Sequence, residues 1–520
     1  MAVPEANPPS VNPWVVAVTV MSCTFMEILD TTIVNVSLPH IAGNLSATPE
    51  EATWVLSSYL VANAIVLPIT GWLARRFGRR RLLTIAVAGF TIASFFCGLA
   101  PSLPFLIVCR VLQGLAGGNL QPQAQAVLWE TFPVEKRGQA MGFLGVGFVT
   151  APLLGPILGG WITDNYSWRW LFYINVPVGI ISILLQNRFL FDPPYLRQAS
   201  KRIDFRGIAL MALAIGAFQI LLDKGQIEDW FASYLIRTLA VTSAIALVLF
   251  LVHEWRTPDP VVNLRVFQIR TYAAGTILIL VIGFVLYGAM VLLPLMLQLF
   301  MGYSAVEAGL ATAPRGLGSM LSMFVVGYLT TRFDHRKLLV FGLLSGAMTM
   351  FGFARLNLQA GYWDIFWPQI LQGVALGFVF VPLSVITMAP IPIEATGNAT
   401  SLWSLMRNFG ASMGISAVVT WLARGQQRYT NLLTTHVNAY DPQGRLAFQA
   451  LRSSWMSRGS DPATATQQAY QSLFLMVQRQ AAMLSFIDIY WLLGWLFLLL
   501  IPLVFIMKRP VPSRKTPAVH

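Results

Sequence analysis

The sequence predicts an all-α polytopic membrane protein, and three observations support this fold class. Of its 520 residues, 56% are hydrophobic and only 11% are charged, whereas a soluble domain carries about 25% charged residues. The apolar stretches run continuously for about twenty residues, which is the length that a transmembrane helix needs. They do not alternate in short strands as those of a membrane β-barrel do. The composition therefore excludes a soluble enzyme, a disordered chain and a fibrous protein.

The apolar stretches predict fourteen membrane spans. In chain order, these spans lie at residues 14–38, 52–74, 81–100, 104–127, 139–164, 168–188, 206–223, 234–253, 272–299, 304–331, 337–354, 364–387, 399–422 and 486–507. An even number of spans places both termini on the same side of the membrane. The first thirteen residues contain no Lys or Arg, so they lack the basic region of a signal peptide. We therefore expect the first span to be an uncleaved helix.

The net charge of +13 follows from basic segments between the spans. These segments lie at residues 75–81, 136–137, 188–206, 256–270, 332–337 and from 508 to the end. Fourteen spans place all of them on one side, and short basic loops are retained in the cytoplasm. A nucleic-acid surface would instead gather its cations on one folded face. We therefore expect cytoplasmic termini and no nucleic-acid partner.

Residues 423–485 form an unusually long polar connection between the last two predicted spans. The connection falls on the outer side, where a loop of this length is largely exempt from the charge rule. The segment 464–483 could extend the last span as a helix. The loop is either a simple tether or an external docking element, and the sequence leaves both interpretations open.

An internal repeat predicts two similar halves. The segment GWLARRFGRRR (71–81) aligns with GYLTTRFDHRK (327–337) at an offset of 256, and RVLQGLAGG (110–118) aligns with QILQGVALG (369–377) at an offset of 259. Parallel six-helix halves around a midplane site are the architecture of major facilitator transporters. The predicted division is an N-terminal tail 1–13, a first half 14–188, a linker with two inserted spans 189–270, a second half 271–507 and a tail 508–520.

An ion gradient is the predicted energy source, because the chain has no G-x-x-x-x-G-K-[ST] segment for ATP. Coupling to protons needs a titratable group inside the membrane. Glu27 and Asp30 are the two acids deep within a span, and their spacing of three places them on one helix face. Arg110 lies at a matching depth and is the natural partner of Asp30. A static buried ion pair would also explain these residues, so the coupling role of Asp30, Glu27 and Arg110 is a hypothesis.

Arg315 and Arg407 are further cations within predicted spans. An Arg that faces lipid is costly, so both should face a central cavity or another helix. There they could bind an anionic substrate group, or they could donate to carbonyls across the bundle. We add Gln113 of the RVLQG segment as a third candidate for substrate binding. Cys23, Cys97 and Cys109 lack metal-ligand spacing, so neither a metal nor another cofactor is predicted.

Several segments resemble the signature motifs of the EmrB/QacA-type family of fourteen-span drug:proton antiporters in the major facilitator superfamily. They are LDTTIVNV (29–36), GWLARRFGRRR (71–81), RVLQG (110–114), APLLGPILGG (151–160), WRWLFYINVPVG (168–179) and LLDKGQIEDWF (221–231). The resemblance covers the whole chain. It implies a gating loop at Gly71, Arg75, Gly78 and Arg79, where the family usually has Asp in place of Arg75. It also implies that the antiporter segment, with Gly155, Pro156, Gly159 and Gly160, helps to seal the path against leak.

The resemblance implies the function. We expect a non-enzymatic antiporter of the bacterial inner membrane that exchanges protons for hydrophobic or amphipathic toxic compounds and confers resistance. It further implies a tripartite efflux system, in which a periplasmic adaptor (membrane fusion) protein and an outer-membrane channel are the partners. The competing hypothesis is a proton-coupled importer of a small nutrient on the same fold.

Overall fold

The computed structural model describes residues 12–192, 204–258, 260–435 and 441–507. Nearly all of the predicted N-terminal tail and the whole of the tail 508–520 lie outside these residues, as do parts of the predicted linker and of the outer loop. Within the described part, the chain is built from helices and their short connections.

Fifteen helices of sixteen residues or more follow one another in the described residues, several of them bent by short 3₁₀ or π turns. They are α1 Pro13–Asn44, α2 Glu50–Phe77, α3 Arg79–Gly98, α4 Leu103–Thr131, α5 Val134–Asn165, α6 Trp170–Phe189, α7 Phe205–Lys224, α8 Tyr234–Arg256, α9 Arg270–Phe300, α10 Ala305–Leu329, α11 His335–Phe353, α12 Tyr362–Met388, α13 Thr396–Thr434, α14 Pro442–Ser457 and α15 Pro462–Ile506.

Twelve of these helices, all except α10, α13 and α14, are long and apolar enough to cross a membrane. The two predicted spans outside this set are α10 and α13, which carry Arg315 and Arg407. A helix that is shielded by its neighbours can tolerate such residues, because its polar groups face the bundle and not the lipid. A total of fourteen spans therefore stays a prediction.

Side-chain caps define several helix starts. Asn12 accepts a hydrogen bond at the start of α1, Asp204 at the start of α7 and Asp461 at the start of α15. Ser304 and Glu307 form a reciprocal capping box at the start of α10. These oxygens satisfy backbone N–H groups that lack a partner in the first helical turn. The helix boundaries thus follow from local sequence.

The helices pack as two groups with the same internal arrangement. In the N-terminal bundle, α1 packs on α5 and α6, α4 packs on α2 and α3, and α3 packs on α6. In the C-terminal bundle, α9 packs on α13 and α15, α12 packs on α10 and α11, and α11 packs on α15. The helix pairs correspond one to one, which is the packing that an internal duplication produces.

Helix α7 bridges the two bundles. On the N-terminal side, Ser57 donates to Asp223, and the Lys224 ammonium donates to the Thr53 hydroxyl at 3.1 Å. On the C-terminal side, the Gln219 amide donates to the Ser412 hydroxyl at 2.9 Å. The helix therefore lies against α2 and α13 at once and covers one seam between the bundles.

The bundles meet closely at the end that carries the loops 75–81 and 332–337, called here the basic end. A Cβ atom on Gly71 of α2 would lie 2.6 Å from the backbone nitrogen of Asn398 of α13. A Cβ atom on Gly142 of α5 would lie 2.6 Å from the Met323 carbonyl oxygen of α10. Toward the opposite end of α10, a Cβ atom on Gly309 would meet nothing within 4 Å. An added methyl group is therefore unhindered at Gly309, whereas it would clash at Gly71 and Gly142.

A helical hairpin formed by α14 and the start of α15 projects at the opposite end. The Trp455 indole donates to the Ser472 hydroxyl at 3.1 Å, and the rings of Phe448 and Tyr470 lie 4.5 Å apart. The helical extension expected over 464–483 is confirmed, because α15 begins at Pro462 and continues without a break into the last apolar span. The outer connection is therefore a folded hairpin over most of its length.

Candidate functional site: buried carboxylates beside a cationic cavity

Asp30 lies at the centre of a fully buried hydrogen-bond network in the N-terminal bundle. Arg110 donates from Nη1 to Asp30 Oδ2 at 2.6 Å. The other carboxylate oxygen accepts from Gln113 at 3.0 Å and from Asn175 at 2.7 Å. Hydrogen bonds from a cation and two amides stabilise an ionised carboxylate. The side chains of α1, α4 and α6 therefore meet at one buried negative charge.

Further contacts fix the Arg110 guanidinium. Its Nε donates to the Val55 carbonyl oxygen at 2.9 Å, and its carbon lies 4.3 Å from the centre of the Tyr59 ring. The Phe172 ring lies at 5.7 Å. Its Nη2 has no hydrogen-bond partner among the described residues. Arg110 is thus held by backbone and aromatic contacts as well as by Asp30, and it retains one unused donor.

Gln113 lies within this network and not at the cavity described below. Its amide nitrogen donates to Asp30, and its amide oxygen accepts from Arg110 at 2.7 Å. Ser94 completes the cluster, because its hydroxyl accepts from Asn175 at 2.9 Å. Gln113 is therefore a partner of the Asp30–Arg110 pair, and its role in substrate binding stays a prediction.

Glu27 occupies a second buried cluster, one helical turn from Asp30 toward the basic end. Its Oε1 accepts from Asn63 at 3.1 Å and from Tyr59 at 3.3 Å. Its Oε2 accepts from Gln121 at 2.6 Å. Arg407 of α13 donates to the other end of the Gln121 amide. The Glu27 cluster therefore reaches across to the C-terminal bundle, whereas the Asp30 cluster lies wholly within the N-terminal one.

An apolar cavity lies between the bundles. The cavity has a volume of about 100 Å³ and opens at a mouth. Its walls are mainly aliphatic and aromatic, with the Tyr287 and Gln372 side chains among the polar lining groups. Both intramembrane cations of the C-terminal bundle, Arg315 and Arg407, line it, and none of its lining residues is acidic.

The two cations differ in their contacts. The Arg407 guanidinium donates to Gln121 and lies 4.9 Å from the centre of the Phe148 ring. The Arg315 guanidinium makes no hydrogen bond or ion pair with the part of the chain that the structure describes. Arg315 is thus the cation most available to a molecule in the cavity.

The glycines of the antiporter segment permit close packing of α5 on α1. A Cβ atom on Gly155 would lie 2.2 Å from Thr32 Oγ1, and one on Gly159 would lie 2.6 Å from the Ile33 carbonyl oxygen. The position of Gly160 is less crowded, since a Cβ atom there would have Val36 as its nearest neighbour, at 4.0 Å. Pro156 lies within the same helix on an exposed face. Gly155 and Gly159 therefore allow α5 to pack closely on α1, the helix that carries Asp30.

The gating loop lies at the basic end. Gly78 has a φ of +83°, a conformation that favours glycine, and it joins α2 to α3. Arg79 forms an ion pair with Glu130 and donates to Gln123 at 3.0 Å. Arg75, at the position where the family usually has Asp, lines a second cavity beside the contact of Gly71 with α13. The loop therefore lies where the bundles touch.

Several polar residues of these clusters were not predicted from the sequence. They are Tyr59, Asn63, Ser94, Gln121 and Asn175. A signal for Gln121 existed, because the segment NLQPQAQ (119–125) places four amide side chains within a single span, and polar residues in a span face the bundle interior. The three cysteines are buried and free, and no cluster of potential metal ligands occurs among the described residues.

Comparison with known proteins agrees with this architecture. Residues 20–415 match the sequence profile of the Major Facilitator Superfamily. The chain is 36% identical over 489 residues to the "Multidrug export protein EmrB" of Escherichia coli (strain K12), covering 94% of each chain. It is 37% identical over 492 residues to the "Fatty acid resistance protein FarB" of Neisseria gonorrhoeae, covering 94% of this chain and 95% of that one.

Solved structures share the fold. The crystal structure of the human organic anion transporter MFSD10 aligns with a TM-score of 0.60 at 14% identity, covering 94% of this chain and all of that one. The proton:xylose symporter XylE aligns with a TM-score of 0.59 at 15% identity, covering 95% of each chain.

Two equivalent helical bundles around a central cavity define a membrane transporter of the major facilitator fold. The chain belongs to the Major Facilitator Superfamily. Within that superfamily it is an EmrB-like member, since its similarity to the EmrB proteins extends over nearly the full length of both chains.

Proposed function

We propose that this chain exports hydrophobic and amphipathic compounds in exchange for protons, and that compounds with a negatively charged group are preferred. The observation that carries this proposal is the pairing of two features. A buried carboxylate with a cationic partner lies in one bundle, and an apolar cavity with a free cation lies between the bundles. The first feature suits proton binding and the second suits an amphipathic anion.

Asp30 is the proposed proton carrier. In the present conformation, Arg110 and two amides stabilise its ionised form. Burial without such partners would favour the protonated form. A change that withdraws Arg110 would therefore load a proton onto Asp30, and its return would release that proton. The unused Nη2 donor of Arg110 gives the guanidinium a means to form other contacts.

Arg315 and Arg407 are the proposed substrate-binding cations. Charge-assisted hydrogen bonds to an anionic group would orient it, while the apolar walls would bind the hydrophobic part of the compound. The names of the relatives agree with this chemistry, because EmrB is described as a multidrug export protein and FarB as a fatty acid resistance protein. A fatty acid is an amphipathic anion of the kind that this cavity would accept.

The proposed orientation places the basic end in the cytoplasm of the bacterial inner membrane, following the distribution of Lys and Arg. The α14–α15 hairpin would then lie on the periplasmic side, where an adaptor protein of a tripartite system could bind. Its exposed apolar residues, which include Leu446, Tyr470, Phe474 and Met476, support this proposal.

A vesicle experiment tests the exchange. The purified protein is reconstituted into liposomes with an acidic lumen, the membrane potential is clamped, and uptake of a radiolabelled amphipathic sulfonate is measured. We expect the sulfonate to accumulate inside, because protons leave as it enters. A proton-coupled importer would instead expel the sulfonate from an acidic lumen, and this result would contradict the proposal. A sulfonate does not titrate in this range, so it carries no proton of its own.

A second experiment tests the adaptor. Residues 442–457, the whole of α14, are replaced by a Gly/Ser linker of equal length, which leaves α15 in place. We expect exchange in liposomes to persist, while adaptor co-purification and drug resistance in cells fall together. Unchanged adaptor binding would contradict docking on the hairpin without affecting the exchange proposal.

A further inference from the structure

Glu27, Gln121 and Arg407 form a hydrogen-bonded line from the N-terminal bundle to the wall of the cavity. Gln121 donates from its amide nitrogen to Glu27 at 2.6 Å, and its amide oxygen accepts from Arg407. Glu27 is only 3% exposed and does not line the cavity, whereas Arg407 does. Gln121 therefore connects a buried acid to a cation that can touch a bound compound.

The chemistry of the three groups fits one arrangement. A carboxylate can only accept hydrogen bonds, and a guanidinium can only donate them. A glutamine between them satisfies both when its nitrogen faces the carboxylate and its oxygen faces the guanidinium. Asn63 and Tyr59 also donate to Glu27, so all three of these hydrogen bonds suit an ionised carboxylate. The negative charge of Glu27 then partly compensates Arg407 and leaves Arg315 as the uncompensated cation of the cavity.

The surroundings of Glu27 contain few other charges. Helices α5 and α6 carry no acidic or basic residue within 138–163 and 170–187. Among the described residues, Cys23 on α1, Tyr59 on α2 and Arg407 on α13 are the titratable or charged groups that interact with Glu27, and Tyr59 interacts in turn with Asp30 and Arg110. Arg110 is engaged by Asp30. The charge state of Glu27 is therefore transmitted mainly to Arg407.

We propose that Glu27 and Gln121 set the charge preference of the cavity. Ionised Glu27 keeps Arg407 engaged, so the cavity presents one free cation and accepts neutral as well as anionic compounds. Protonated Glu27 donates to the Gln121 oxygen in place of Arg407 and releases the guanidinium, and the cavity then favours anions more strongly. This inference rests on the proposed function, in which the exported compound binds in this cavity.

The effect of protonation on anion binding distinguishes the role of Glu27 from that of Asp30. In an exchange, the proton and the exported compound must exclude each other. A proton on Glu27 strengthens the binding of an anion at Arg407, which is the opposite of exclusion. Among the described residues, the hydrogen-bond donors to Asp30 all belong to the N-terminal bundle, and neither Asp30 nor these side chains line the cavity. Glu27 therefore serves selectivity, while Asp30 serves coupling.

The test compares two probes of similar shape and opposite charge, a naphthalene sulfonate and a naphthyl trimethylammonium. Their dissociation constants are measured on the purified full-length protein and on the variants Glu27→Gln and Gln121→Leu. The control is Gln125→Leu, which makes the same change one turn further along α4, at a buried residue whose amide nitrogen has no partner among the described residues. We expect both test variants to shift the ratio of the two constants roughly tenfold toward the sulfonate, and the control to leave it unchanged.

Two further measurements decide the assignment. In an Arg407→Gln background, Glu27→Gln should no longer change the ratio, because the cation that Glu27 compensates is gone. Proton-driven exchange in liposomes should persist in Glu27→Gln. An unchanged ratio in Glu27→Gln, a shift that persists without Arg407, or loss of exchange would each overturn the inference. Absence of exchange in the unaltered protein would contradict the proposed function, and the binding ratio would still test the charge preference.

Discussion

The N-terminal and C-terminal bundles share one packing scheme but carry opposite charges at their centres. The N-terminal bundle buries the carboxylates Glu27 and Asp30, whereas the C-terminal bundle presents Arg315 and Arg407 to the cavity. The aligned segments RVLQG and QILQG show the same divergence. Gln113 binds Asp30, while its counterpart Gln372 lines the cavity.

The two bundles therefore share a scaffold but differ in their central polar residues. The helix contacts, which depend on small residues and apolar surfaces, are the same in both bundles. The polar residues at matching depths are not, since Gln369 stands in α12 where Arg110 stands in α4. The proposed function places proton binding in the first bundle and substrate binding in the second, and four predictions test this division in order of expected effect.

The largest effect is expected for the Asp30–Arg110 pair. Asp30→Asn should abolish proton-driven exchange in liposomes. Arg110→Gln introduces the residue type that stands at the matching position of α12, Gln369, and should also abolish exchange. This variant should in addition destabilise the protein, because an unpaired buried carboxylate costs about 3–5 kcal/mol. The double variant Asp30→Asn/Arg110→Gln removes both charges.

The double variant serves as the control for folding. We expect it to melt close to the temperature of the unaltered protein and yet to remain inactive in exchange. If either the double variant or Asp30→Asn retained exchange, the proton would be carried elsewhere and the division between the bundles would fail.

The second effect concerns the C-terminal bundle. Arg315→Gln should weaken binding of an amphipathic sulfonate roughly 10- to 100-fold, because a hydrogen bond to a charged group contributes about 1.5–3 kcal/mol. Binding of a neutral compound of the same shape should change little. The matched control is Arg355→Gln, an exposed cation outside the cavity. Equal losses for the sulfonate and the neutral compound would show that Arg315 acts only in packing.

The third effect concerns the contact between the bundles. Gly71→Ala places a methyl group 2.6 Å from the Asn398 backbone and should force the basic end apart. Gly309→Ala adds the same group where nothing lies within 4 Å. Labelling of a cysteine placed at Ala395, a half-buried residue of the cavity that Gly71 also lines, should increase severalfold for the first variant and stay unchanged for the second. Equal labelling of the two variants would contradict the close contact of the bundles at the basic end.

The smallest effect concerns stability within the N-terminal bundle. Gly159→Ala should lower the melting temperature, because the added methyl group lies 2.6 Å from the Ile33 carbonyl oxygen and overpacking costs about 1–3 kcal/mol. Gly160→Ala has space for the same methyl group and should melt like the unaltered protein. A reversed order of the two variants would show that α1 and α5 can separate at little cost.

The sequence predicts the scaffold well, because the length and order of apolar stretches determine where helices cross a membrane. It also indicates Asp30 and Arg110 as partners, since their depths follow from the rise of a helix. The amide partners were harder to predict. Asn175 and Gln121 bind acids from other helices, and sequence alone does not give the rotation of one helix about another. For the same reason, the sequence did not show that Gln113 hydrogen-bonds to Asp30.

The central claim is that protons and amphipathic anions move in opposite directions through this protein. The most direct measurement uses liposomes that contain the purified protein, a sulfonate probe and a pH-sensitive dye in the lumen, with the membrane potential clamped. Dilution into probe-free buffer drives the sulfonate outward. We predict that the lumen acidifies and that the Asp30→Asn/Arg110→Gln protein shows no pH change. A lumen that becomes alkaline, or one that keeps its pH while the sulfonate leaves through the unaltered protein, would contradict the account.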